Sequence, residues 1–150
     1  MMTKLISIAT TGLFLTITWG GLSSVKEPTK LPIISPQPDP KAESIKRGKL
    51  IYDELCMTCH LPSGEGVAPT FPPLAGSDYL MKNLTESIRG IKYGQKGKIT
   101  VNGKTYDGNM PSMGLNDKEV ADVTNYILNT WGNTYKGIIT AQQVANIKKQ

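Results

Sequence analysis

Cysteine and histidine are scarce in this sequence, with two of the first and one of the second among 150 residues. That excludes a disulfide framework and leaves too few side chains for a four-coordinate zinc site of the usual Cys/His kind. Large aromatics are sparse too, with two Phe and two Trp, so protein side chains alone would make a thin core. Twelve Asp and Glu face seventeen Lys and Arg. The basic residues are spread over several segments, without the stripe that tracks a phosphate backbone, and nucleic acid is not an expected partner. The length suits one modest domain and is too short for two.

The N-terminal segment is set apart from the fold by composition. Met1 to Lys4 carries a positive charge, Leu5 to Leu22 is apolar but interrupted by Thr10, Thr11, Gly12, Thr16 and Thr18, and Gly20, Gly21, Ser23 and Ser24 follow. Residues 1–24 read as an export signal. A retained membrane anchor is the alternative, because an apolar stretch of about 18 residues just suffices to span a bilayer and no Ala-x-Ala cleavage site is present. Residues 25–42 hold Pro28, Pro32, Pro36, Pro38 and Pro40, half of the chain's ten prolines, and read as a stiff linker.

Residues 43–133 are expected to fold. A domain this small leaves much of its surface wet, which points to a non-protein group filling its middle. Many glycines, among them Gly64, Gly66, Gly97 and Gly108, suggest loops around a few helices. A first helix is expected from Glu43 to Leu55, with Ile45, Gly48, Tyr52 and Leu55 on one face, and a second from Leu84 to Lys92, stopped by Gly94. Asn102-Gly103 between Ile99–Val101 and Lys104–Tyr106 has the chemistry of a tight hairpin turn. The last core helix is expected after Asn116, with Glu119 completing a capping box and Val120, Val123, Ile127 and Trp131 forming its face. In the tail, residues 134–150, Thr140 and Gln143 have capping-box spacing ahead of a short peripheral helix.

Both cysteines and the histidine fall together in Cys56-Met57-Thr58-Cys59-His60. Random placement gives that pattern on the order of once in ten thousand such chains, so it calls for a chemical cause. Two thiols on one helical turn can each add to a vinyl group of one haem, and the next residue then offers an imidazole to the iron; this is the attachment motif of c-type haem. A thioredoxin-like dithiol would need a strand before the first cysteine, whereas the periodicity before Cys56 is helical. Zinc would need an unlocated fourth ligand.

The segment from Glu43 to Asn133 resembles a bacterial, exported monohaem class I cytochrome c. The resemblance implies an all-α fold of three to four helices around one covalently bound haem c and its iron, with a short β-hairpin flap before the loop of the axial methionine. Gly48, Tyr52 and Cys56 resemble the family's first helix, whose glycine lets the last helix cross closely, and Tyr126 falls at the aromatic it meets. Pro72 matches the proline whose carbonyl accepts the ligand histidine's ring N–H, which would fix the tautomer. Leu74 matches an apolar residue packed on the haem.

Outside the leader the methionines are Met57, Met81, Met110 and Met113. Only the last two are far enough from Cys59 to fold over the opposite haem face. Met110 is the expected axial ligand with His60, because Pro111 restricts the backbone before it; Met113 is the alternative. A His/Met pair leaves no vacant coordination position, so the expected activity is one-electron transfer with no catalytic residue. The alternatives are an electron-accepting subunit of a dehydrogenase, nitrite reductase or oxidase complex, and an open-site haem sensor or peroxidase. Arg89, Lys92, Lys96, Lys98 and Lys104 run without an intervening acid and suggest a basic patch for a redox protein partner; a membrane is a partner only if the leader is retained. The resemblance implies a periplasmic location, free or anchored to the inner membrane.

Overall fold

The computed structural model describes residues 37–150. The expected leader and most of the expected linker lie outside that range. Among the described residues the fold is mostly helical with one two-stranded sheet: α1 (Pro40–Ile51), a π turn (Tyr52–Cys56), α2 (Met57–His60), α3 (Asp78–Lys82), α4 (Leu84–Tyr93), β1 (Gln95–Val101), β2 (Lys104–Met110), α5 (Asp117–Ile127) and α6 (Ala141–Asn146). Among the described residues no helix is long and apolar enough to cross a membrane.

The first helix starts inside the segment expected to be linker. Asp39 caps it by accepting from Lys41 N at 2.9 Å, and Pro40 occupies the first helical position. Proline costs nothing there, since that N–H has no intrahelical acceptor and the ring presets φ. The expected apolar face also breaks at its end. Tyr52 is fully buried, but Leu55 is 37% exposed. The π turn inserts an extra residue into the helical repeat, which rotates Leu55 away from the buried stripe to the rim of a cleft.

The central contact is α1 against α5. Gly48 sits at the crossing, where an added Cβ would lie 2.0 Å from the Asp122 carbonyl oxygen. The expected capping box at Asn116 and Glu119 is present. Helix α5 ends at Ile127, short of Trp131, and from Val120 on it is buried on all sides: Asp122, Thr124 and Asn125 are buried along with Val120 and Val123. Helix α1 covers the Asp122 side and the tail covers the Asn125 side. The expectation of a peripheral tail helix is corrected here, since Ile139 and Val144 join the core. The Asn125 side chain grips the tail backbone, donating to Ile139 O and accepting from Ile139 N, both at 2.8 Å.

Burial of an acid on α5 is compensated locally. Asp122 receives a two-pronged contact from Arg47 at 2.7 Å, plus Lys118 Nζ at 2.8 Å and Ser44 Oγ at 2.7 Å. Burial pushes its carboxyl upward, but hydrogen bonds from Arg47, Lys118 and Ser44 outweigh this and bring it down to about 2. A depressed folded value means stability that is present above about 3.8 and lost as pH falls through about 2. Asp122→Asn is therefore expected to lose about 2 kcal/mol at neutral pH and to flatten the stability profile below pH 4. Denaturant melts of both proteins at pH 6 and pH 2 check this, and parallel profiles would refute it.

The hairpin is longer than expected. A turn with both central residues at positive φ (Asn102 at 51°, Gly103 at 75°) joins strands whose register runs from Val101↔Lys104 to Gln95↔Met110. Gly97 and Gly108, read from sequence as loop, lie opposite each other inside the sheet. Alternation places Gly97, Ile99 and Val101 on one face with Tyr106, Gly108 and Met110, and leaves Lys96, Lys98 and Asp107 on the exposed one.

Candidate functional site

One cleft collects nearly every residue singled out from the sequence. It encloses about 1210 Å³ of non-atom space, its open mouth included. Cys56, Cys59, His60, Pro72, Leu74, Met110 and Met113 all line it. The remaining wall is mainly apolar, with Leu80, Ile91, Ile99, Val123 and Ile127 prominent.

The cysteine side starts from the π turn. Cys56 closes that turn and Cys59 lies within α2, so the two thiols border the cleft from consecutive turns of one helical rod. Neither is in a disulfide. Burial and the neighbouring Cys59 push the Cys56 thiol up to about 11, which keeps it protonated at neutral pH.

His60 ends α2 and is 7% exposed. Burial lowers its pKa more than the contact to Pro72 raises it, so the imidazole is held neutral. Its Nδ1 lies 2.9 Å from Pro72 O. That carbonyl can only accept, so Nδ1 carries the proton and Nε2 keeps a free lone pair. The loop between them is folded tightly to make the contact: Gly66 N donates to His60 O at 3.0 Å, and Leu74 N and Ala75 N both donate to Gly64 O. Leu74 is fixed from the other side by Asn133, whose amide donates to Leu74 O at 2.8 Å and to Ile127 O at 2.9 Å.

Met110 reaches the cleft from β2. It was expected in a loop and instead is the last strand residue, paired with Gln95. Met113 also borders the cleft, from the segment after β2. Met57 packs against the core cluster and Met81 is 40% exposed on α3; neither lines the cleft.

The site fits a haem. Two thiols, a neutral imidazole with one nitrogen free and a thioether open on a single apolar slot, and this is the donor set that a covalently held porphyrin iron uses. An added Cβ at Gly97 would meet nothing within 4 Å, so the sheet leaves open space on that side of the slot. Sequence reasoning missed several wall residues, including Ile91, Tyr79, Tyr106 and the Gly97/Gly108 pair. Period-two alternation through both strands would have found the last three positions on the hairpin.

The expected basic patch is divided. Arg89 pairs with Glu86 and donates to Lys148 O, and Lys92 pairs with Asp117 at 2.7 Å and donates to Val144 O. Lys96, Lys98 and Lys104 are exposed on the hairpin.

Comparison with known proteins agrees with this geometry. A family model described as Cytochrome c matches residues 45–131. Cytochrome c-552 of Thermus thermophilus is 37% identical over 110 residues, covering 67% of this chain and 83% of that one. The cytochrome c subunit of a quinone alcohol dehydrogenase from Gluconacetobacter polyoxogenes is 35% identical over 101 residues, 65% of this chain but 21% of the subunit. The cytochrome c subunit of a gluconate 2-dehydrogenase from Pantoea cypripedii is 32% identical over 116 residues, 73% of this chain and 25% of its own length.

Proposed function

Since the chain belongs to the monohaem class I cytochromes c, which carry electrons on a covalently bound haem, we propose that Cys56 and Cys59 are its attachment points and that His60 and Met110 are its axial ligands. The observation that carries this reading is the convergence of all four side chains on one apolar cleft. When bound, the haem iron supplies a one-electron couple, and thioether ligation raises its potential relative to stronger donors. The chain's own residues do the rest. Pro72 O holds the His60 ring in one orientation and one tautomer. Leu80, Ile91, Val123 and Ile127 exclude water from the slot, which keeps the two redox states close in structure. No residue is assigned a proton-transfer or nucleophilic role.

The protein matured in a periplasm should gain the mass of one haem and show a low-spin spectrum in both oxidation states. Cys56→Ala combined with Cys59→Ala should release the haem under denaturing extraction. A chain recovered with both thiols unmodified would overturn the assignment.

The partners are redox proteins, and we propose that Lys96 and Lys98 on the exposed hairpin face, with Lys104 exposed beside the turn, meet an acidic surface on one of them. Electron-transfer rates should then fall with rising salt and flatten when the three are changed to Gln; a rate indifferent to salt removes the docking idea. Two relatives are cytochrome subunits of dehydrogenases, which favours a second reading in which this domain accepts electrons within such a complex. Stable co-purification with a dehydrogenase would separate that from a free carrier. The export-type composition of residues 1–24 supports a periplasmic site.

A further inference from the structure

Leu61, immediately after His60, is the C-cap of α2 with φ 63° and ψ 160°. That region of backbone space is essentially restricted to glycine and costs of order 1–3 kcal/mol for other residues. The distortion has a use. It turns the chain off the helix at once, so that Gly66 N can bond His60 O and the following loop can bring Pro72 O to His60 Nδ1. Something must hold residue 61 there. Leu61 N donates to Met57 O at 2.8 Å and Gly64 N to Leu61 O at 3.0 Å, both short-range contacts that travel with the turn itself. The anchor from outside the turn is the Tyr52 hydroxyl, which donates to Leu61 O at 2.7 Å.

Tyr52 is suited to that task. It is fully buried, begins the π turn, and its ring is wedged between Trp131 and Tyr126 with centroids 4.9 and 5.4 Å away. A phenylalanine would fill the same space without a donor. We propose that Tyr52 is a positioning residue for His60, its hydroxyl clamping the strained Leu61 turn and so fixing the Pro72 contact that orients the imidazole. The proposal rests on His60 ligating the haem, which the spectrum of the unaltered holoprotein tests separately.

The strain supplies a discriminating experiment, because glycine at position 61 needs no clamp. Exchange of the His60 Nδ1 proton with solvent can be followed by NMR in the reduced holoprotein for four forms: unaltered, Tyr52→Phe, Leu61→Gly, and both together. Tyr52→Phe should accelerate exchange roughly tenfold, as the loss of one buried hydrogen bond implies. In the Leu61→Gly background the same substitution should accelerate it less than about threefold. Equal acceleration in both backgrounds, or less than about twofold from Tyr52→Phe alone, overturns the proposal. If Tyr52→Phe yields no holoprotein, recovery of holoprotein in the double variant supports the clamp, and failure to recover it counts against it.

Discussion

Met110→Ala is expected to abolish the absorption band of thioether sulfur bound to ferric iron and to lower the reduction potential by on the order of 0.1 V or more, within the ~0.8 V that axial ligands span across haem proteins. The direction follows from the ligand. A thioether favours the reduced iron, and its loss favours the oxidised one. Met113→Ala should leave both properties near their original values. The two methionines differ in how their backbone is held. Met110 is fixed by its strand pairing with Gln95, and Gly94, at φ 91°, comes so close that an added Cβ would lie 2.8 Å from Met110 O. Beyond Pro111, Ser112 Oγ donates to Lys92 O at 2.9 Å, tying the next residue to the end of α4. Met113 has no strand partner and is followed by Gly114 at φ 71° in open space. Optical spectra and redox titration of both variants decide the matter, and loss of the band from Met113→Ala alone would reverse the assignment.

Much of this arrangement is legible in the residues because its signals are local. The capping boxes at Asn116/Glu119 and Thr140/Gln143 need only a side chain and the backbone three residues away, and the Asn102-Gly103 turn needs only two residues that tolerate positive φ. The Cys56/Cys59/His60 group is local for the same reason. Features that depend on distant partners are harder to read. Proline at 40 looks like linker until Asp39 caps the helix it starts. Gly97 and Gly108 look like loop because only their cross-strand pairing shows them to be part of a sheet facing the cleft. Helix α3 is five residues long and is held by its Ser77 cap and a reciprocal pair of hydrogen bonds between Asp78 and Asn102; no apolar period of that length can announce it. The tail's place in the core is hidden because the side of α5 that carries Asp122 and Asn125 reads as solvent-facing. Asp122 is satisfied by Ser44 and Arg47 and Asn125 by Ile139, which come from far away in the chain, while Thr124 donates to Val120 O within the helix.

Gly48→Ala is expected to destabilise the protein by about 3 kcal/mol, at the upper end for overpacking a tight contact, and to lower the melting temperature by roughly 10–15 °C. The sign is the informative part. In an exposed helix the same change would stabilise by up to about 1 kcal/mol, because alanine loses less backbone entropy. Here the new methyl carbon would sit 2.0 Å from Asp122 O and 2.5 Å from Asp122 C, with Tyr126 Cβ at 2.9 Å. Two of these atoms are helix backbone, so no rotamer change relieves the overlap and α1 must move off α5. That movement stretches the Arg47 and Ser44 contacts to Asp122 and loosens the Tyr52–Tyr126 packing. Tyr52 also begins the turn that leads to the cysteines, so the damage should reach the haem side as lower recovery of holoprotein. Thermal melts of purified holoprotein measure the first effect and haem content per chain the second. A melting temperature equal to or above that of the unaltered protein would mean that the helices do not cross in contact at Gly48, and the Asp122 cluster would then lose the close approach that shields it from water.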